Sequence, residues 1–237
     1  MTEKIGKVQV EENLKNGILA KERKDFGRAA EFFTNAIIHS EEIGYPHGVL
    51  HGLLNIGTIW KLKARETGKR SFARLGRLSF LEARDYARDE HMDPEEIIHA
   101  TFLLGQAEFE LGNFSEAISL YKEAHDFYQE HPRSIAHTGD VQRHLGTAMV
   151  KAGQVDDGIT TIQEGLAAIR TFDEVDAFDK RNYVWETGAL LALAEVYLET
   201  DLAKSQELAQ EALAIAKREE LVIRKQEATK LLGKLHI

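Results

Sequence analysis

Residues Asp93 to Pro132 read DPEEIIHATFLLGQAEFELGNFSEAISLYKEAHDFYQEHP, and this stretch decides the fold. It opens on Asp93-Pro94-Glu95-Glu96. Asp accepts bonds from the free N–H groups of a first turn, Pro suits the first helical position, and two acids oppose the positive end of the helix dipole. Ile97, Leu104 and Leu111 follow at helical spacing. Leu111-Gly112-Asn113 then ends the helix, with Gly as the natural left-handed cap. Phe114-Ser115-Glu116 opens a second helix whose stripe is Ala117, Ile118, Tyr121 and Ala124. Gly105, Ala117 and Ala124 are small enough for the two backbones to approach closely. The spacing predicts a helix hairpin.

The same hairpin recurs along the chain. First helices carry a small residue at Gly17, Gly57, Gly105, Gly146 and Ala194, with Gly233 as a sixth, spaced about 40 to 48 residues apart. Second helices carry a matching one at Ala36, Ala83, Ala124, Gly165 and Ala212. Pro46, Pro94 and Pro132 each precede a first helix, where Pro is tolerated. Two independent series with similar steps define repeats.

The segment LLGQAEFELGNFSEAISLYKEA resembles a tetratricopeptide repeat, on Leu104-Gly105, Gly112-Asn113-Phe114, Ala117, Tyr121 and Ala124. The resemblance implies an all-α, right-handed superhelical solenoid of about five helix pairs plus a C-terminal capping helix. It also implies protein or peptide binding rather than catalysis. Units longer than the simplest 34-residue repeat are similar in length to those of kinesin light chain, of Leu-Gly-Asn-type adaptors and of bacterial peptide-pheromone receptors.

A single domain over 1–237 is expected, with units at about 7–43, 46–90, 94–131, 133–171 and 176–217 and a closing helix at 219–235. In the first unit Ala29, Phe33 and Ala36 face inward, while Asn13 and Asn16 stand where apolar residues are expected. In the second, Leu53, Ile56, Gly57 and Trp60 form the inward face, and the long connection KLKARETGKRSFARLG requires either extended helices or a bulge near Thr67-Gly68. In the fourth, Gly158 and Gly165 replace alanines, which by propensity loosens the helix by ~1 kcal/mol each. The turn of the fifth lacks the usual Gly.

Bulk composition narrows the function. Of 237 residues 43% are apolar, enough for a core, and only three are Pro. A net charge of −9 argues against a generic nucleic-acid binder. With no Cys, neither a disulfide nor a cysteine-ligated metal forms. The start, MTEKIGKVQVEENLKNG, has no apolar signal core and no run reaches membrane-spanning length, so a cytoplasmic location without membrane insertion is expected. No nucleophile–base arrangement, P-loop or dinucleotide fingerprint occurs, and no cofactor is expected.

A stack of helix pairs lines its concave face with first helices, so helical geometry nominates binding residues relative to each small anchor. His51, His99 and Asp140 stand six before it, Phe102 and Arg143 three before, Thr58, Gln106 and Thr147 one after, and Phe109 four after. Asn55 and His144 fall at the edge. The expectation is a groove in which Phe102 and Phe109 make apolar contact while Asn55, Gln106 and Arg143 bond a peptide backbone or carboxylate. One variant of the family grips a terminal carboxylate with Lys and Asn on its first three helices. Here those places hold mainly Leu14, Ile18, Asn55, His99 and Leu103, so chaperone-tail binding of that kind is not expected.

Other readings stay open. The groove of a regulatory sensor holds a small peptide and its array changes curvature. A metal-binding or enzymatic protein uses the face of His137, Asp140 and His144, for which the plainer reading is ordinary hydrogen-bonded histidines. The segment Lys61–Arg84, rich in Lys and Arg, is either a patch for an acidic partner or a solvated face with intrahelical ion pairs. Residues 219–237 are the expected contact of a homodimer, should one form.

Overall fold

The structure, a computed structural model, describes residues 2–131, 135–171 and 181–235. Pro132, and the expected starts of the fourth and fifth units, lie outside the described residues. Among the described residues every regular element is an α-helix: α1 (Thr2–Glu22), α2 (Phe26–Ile43), α3 (Pro46–Thr67), α4 (Arg70–Asp89), α5 (Pro94–Leu111), α6 (Phe114–Glu130), α7 (Ile135–Lys151), α8 (Val155–Arg170), α9 (Arg181–Tyr197), α10 (Leu202–Arg218) and α11 (Val222–Leu235). Sequence neighbours form hairpins, and α11 packs on α10 and α9. The chain divides into two compact units, Met1–Leu120 and Tyr121–Ile237.

Helix ends follow the local chemistry. Pro46 and Pro94 occupy the first turns of α3 and α5. Gly44, Gly68 and Gly112 adopt left-handed caps at φ 63°, 67° and 79°, a region where a Cβ costs energy and Gly does not. The Asp93 side chain makes no capping bond, so α5 relies on Pro94 and its two acids alone. Asp25 and Asp201 do cap, accepting from the backbone N–H groups of Arg28 and Lys204 at 3.2 and 3.0 Å. Asp201 thus supplies the order that the glycine-free turn before α10 needs. The long connection in the second hairpin is resolved by helix extension: α3 runs 22 residues, α5 only 18.

In the first unit aromatic rings fill the space that glycines leave. A Cβ on Gly17 would fall 2.5 Å from Phe33, and one on Gly57 would fall 2.6 Å from Phe80. Phe33, Phe80, Ala29, Ala36 and Ala83 are wholly buried. On α3 the buried apolar residues are Leu50, Leu54 and Ile59, whereas Leu53, Ile56 and Trp60 are only partly covered. The core stripe is therefore turned from the expected one, because α3 is buried chiefly between its own partner α4 and the preceding second helix α2.

In the second unit α7 and α8 meet backbone to backbone. A Cβ on Gly146 would lie 2.6 Å from the Gly158 carbonyl oxygen, and one on Gly158 would lie 2.7 Å from that of Gly146. Gly139 and Gly165 face each other in the same way, at 2.6 Å in both directions. This corrects the expectation that Gly158 and Gly165 merely loosen α8. They cost propensity, and in return they permit an approach that alanine would block. Gly233 differs from the other anchors: it is exposed, and nothing lies within 4 Å of where its Cβ would be.

Candidate functional site

In the first unit α1, α3 and α5 lie side by side, and polar side chains tie them across. Lys21 on α1 donates from Nζ to Asn55 Oδ1 on α3 at 2.8 Å. One helix further on, Lys61 on α3 donates to Gln106 Oε1 on α5. Each lysine stands four residues after the small anchor of its helix, whereas the acceptor stands two before the anchor at Asn55 and one after it at Gln106, so the rungs share a donor place and not an acceptor place. Burial lowers the pKa of Lys21, with Glu22 opposing the shift. The aliphatic stems lie along the helix surface while the ammonium groups find amide oxygens.

These rungs change the chemistry expected of the face. Asn55 is engaged locally, with one N–H and one lone pair to spare: its oxygen takes Lys21 and its nitrogen donates to the His51 carbonyl at 2.9 Å. The Thr58 hydroxyl donates to the Leu54 carbonyl, and that of Thr147 to the Arg143 carbonyl. Phe102, Gln106 and Asp140 are buried, at 6%, 7% and 6% exposure. Phe102 is covered as a core side chain, so a ligand on this face meets its neighbours first. His51 is exposed, and His99 and Phe109 are half-buried. Phe109 packs its ring on Phe114 at 5.4 Å between centroids. Although one edge of His51 stays open to solvent, desolvation by the protein around the ring lowers its pKa, partly offset by Glu96 and reinforced by His47. His47 itself pairs with Glu96 at 2.8 Å.

In the second unit the nominated residues cluster on α7. Arg143 donates from Nε and Nη2 to Asp140 Oδ1, at 2.9 and 2.7 Å. Its Nη2 also lies 2.5 Å from His144 Nε2, and the His144 ring leans on Tyr121 at 5.6 Å. Asp140 thus serves an arginine. His137 contacts Tyr128 and Trp185 with its ring. Among the described residues no group of three or more His, Asp or Glu side chains is arranged to hold a metal ion. The segment nominated in the sequence for self-association presents Val222 and Ile223, 67% and 58% exposed, at the start of α11.

Part of the basic segment is committed within its own unit by bonds between helices, while Arg84 pairs along α4 with Asp85 at 3.2 Å and Arg74 stays exposed. Arg65 pairs with Glu110, Arg77 with Glu108, and Arg70 Nη2 donates to the Leu111 carbonyl at 2.8 Å. Arg70 thereby satisfies one of the free carbonyls at the end of α5. Glu108 is 3% exposed and also accepts from Asn113 Nδ2 at 2.7 Å, which ties the Gly112 turn to α4. Removing Arg77 leaves a buried carboxylate with one neutral donor. Arg77→Ala is expected to destabilise the protein by about 2 kcal/mol, below the usual cost of breaking a buried pair because Arg77 is itself partly exposed. Urea denaturation measures it, and a loss under 0.5 kcal/mol would show the pair to be ornamental.

Serial helix hairpins, small residues at the crossings and a shared face of first helices define the tetratricopeptide-repeat-like fold. Solved structures with this fold match the chain. Aspartyl phosphate phosphatase F from Bacillus subtilis aligns with a TM-score of 0.69 at 12% identity, over 98% of this chain and 56% of that one. BtubC (BKLC) from P. vanneervenii aligns at 0.64 and 16%, over 86% and 78%. A STAND signal-transduction ATPase with a tetratricopeptide repeat sensor, from Pyrococcus horikoshii, aligns at 0.60 and 16%, over 96% and 35%. The chain thus spans about half of the phosphatase and about a third of the ATPase. At these identities the likeness speaks for the fold. No family model and no curated protein matches the sequence. No helix among the described residues is long and apolar enough to cross a membrane.

The lysine rungs escaped the sequence reading. A signal for them exists: Lys21 and Lys61 hold the same place relative to Gly17 and Gly57, on helices that the repeat makes neighbours.

Proposed function

We propose that the chain is a non-enzymatic interaction module, a cytoplasmic adaptor that binds a peptide or helical segment of another protein on the face of its first helices. The observation that carries this reading is the α1–α3–α5 face. Its amides and lysines are held in place by the two rungs, and His51, His99 and Phe109 stand beside them. Pre-set polar groups lower the ordering cost of binding, and a partly covered aromatic offers the apolar anchor. The fold supports the reading too, since serial hairpins present extended faces of this kind.

A peptide-display selection against the full chain tests it. A selected peptide is expected to bind with a Kd on the order of micromolar, and the double variant His51→Ala with Phe109→Ala to weaken it at least tenfold. An unchanged affinity in the double variant, or no peptide enriched over an unrelated helical protein, would remove the reading.

The rungs also favour a second reading, a peptide sensor. A ligand that takes Asn55 or Gln106 from its lysine alters the spacing of α1, α3 and α5, and so the curvature of that face.

A further inference from the structure

We infer that the first-helix face of the second unit holds a carboxylate-binding site, built by Arg143 of α7 and Arg224 of α11 over the bare backbone of Gly188 in α9. The inference deepens the peptide-binding reading and rests on it for the identity of the ligand, a peptide carrying a carboxylate. On α3, α5 and α7 the position six before the anchor is His51, His99 and Asp140; on α9 it is Gly188. The space left there is occupied from both sides. A Cβ on Gly188 would stand 3.1 Å from Arg224 Nη2 and 3.5 Å from Arg143 Nε. Two guanidinium groups from different helices therefore lean over one point of a third.

Like charges do not converge without compensation, and each arginine keeps one carboxylate on its own helix. Asp140 holds Arg143, and Glu227 accepts from Arg224 Nη1 at 2.7 Å. These pairs fix the two planar groups without using all their donors. Arg143 Nη1 and Arg224 Nε and Nη2 have no acceptor among the described residues. The side chains are 11% and 22% exposed, so a ligand can reach them while most of their surface is already out of water. An oxyanion between two guanidinium forks gains charge-assisted, directional bonds that a lysine could not supply. Two cations matched by two carboxylates leave the cluster near neutral, so a ligand is held by the remaining directional donors, and each added negative charge on it meets repulsion from Asp140 and Glu227. That selects a carboxylate over a phosphate dianion. His144 is a further titratable group here, beside Arg143 Nη2 and 3.9 Å from Asp140 Oδ2.

The arginine Nε–Hε signals of the full chain, followed by NMR at constant ionic strength during titration with acetate and then with inorganic phosphate, test the site without any peptide. The signals of Arg143 and Arg224 are expected to move together and saturate with acetate, at a Kd at least tenfold below that for phosphate. Arg224→Gln and, with the charge kept, Arg224→Lys are each expected to abolish saturation at Arg143. A linear drift like that of the exposed Arg74, equal or tighter binding of phosphate, or persistence of saturation in both Arg224 variants would overturn the site. The outcome is separable from the peptide reading, whose test rests on His51 and Phe109 in the other unit. A flat acetate titration with selectable peptides removes this site alone.

Discussion

Phe80→Ala is expected to cost about 3–5 kcal/mol of stability, the range for emptying a large aromatic site in a core. Phe80 is wholly buried and lies in a cluster with Leu50, Leu54, Ala83, Ala87 and Leu104. Its ring rests on the backbone of Gly57, so close that a single methyl there would fall 2.6 Å from a ring carbon. Its neighbours on α4, Ala83 and Ala87, are too short to refill the site, and Leu50, Leu54 and Leu104 are already buried in the cluster. Guanidinium denaturation gives the value, and a loss below about 1.5 kcal/mol would mean that the hairpin collapses around the gap. The fit between ring and glycine is open to a double-mutant cycle. Gly57→Ala alone should destabilise by about 1–3 kcal/mol through overpacking. Combined with Phe80→Leu, it should cost less than the two changes summed, because the smaller side chain vacates the space the methyl needs.

Gly146→Ala is expected to destabilise the protein by about 3 kcal/mol, at the upper end of the usual cost of overpacking. The sign is what makes it informative. In an open helix the same change stabilises by ~1 kcal/mol through propensity. At Gly146 the new methyl meets the carbonyl oxygen of Gly158 at 2.6 Å and the backbone nitrogen of Ile162 at 2.9 Å, and backbone atoms cannot swing aside as a side chain would. Gly233→Ala is the matched control, in a helix with nothing near the added methyl. It should be neutral or stabilising by up to ~1 kcal/mol. Shifts of the same sign in the two variants, measured as denaturation midpoints at unchanged slope, would refute the close approach of α7 and α8.

The contrast between those glycines shows which parts of the fold the sequence makes legible. Helix ends were readable because their causes are local: Pro46 and Pro94 at first turns, Gly112 in the left-handed region. The order of the hairpins was readable because small anchors recur. What an anchor touches is a matter of the facing helix, and there the reading failed for Gly158 and Gly165. A usable signal was present. Gly139 and Gly146 are seven residues apart on α7, and Gly158 and Gly165 seven apart on α8, which puts each pair on one helix face. The candidate site was less legible than the fold. Geometry nominated residues on first helices, but Phe102, Gln106 and Asp140 are buried and Asn55 is already bonded, because the contact between adjacent first helices leaves no trace in the period of either one. Lys61, read as part of either an acidic-partner patch or a solvated face, is nearly enclosed for the same reason.

The two lysine rungs give the first unit a mechanical character. A force that spreads α1 from α5 loads the Lys21–Asn55 and Lys61–Gln106 bonds in series. Each, as a hydrogen bond from a charged donor, resists with about 1.5–3 kcal/mol. The acceptors are neutral amides, so dissolved ions have little counter-charge to screen. The two rungs should therefore keep their resistance as salt rises, while the ion pairs that run beside them, Lys24–Glu66 between the turn after α1 and α3 and Arg65–Glu110 between α3 and α5, should soften.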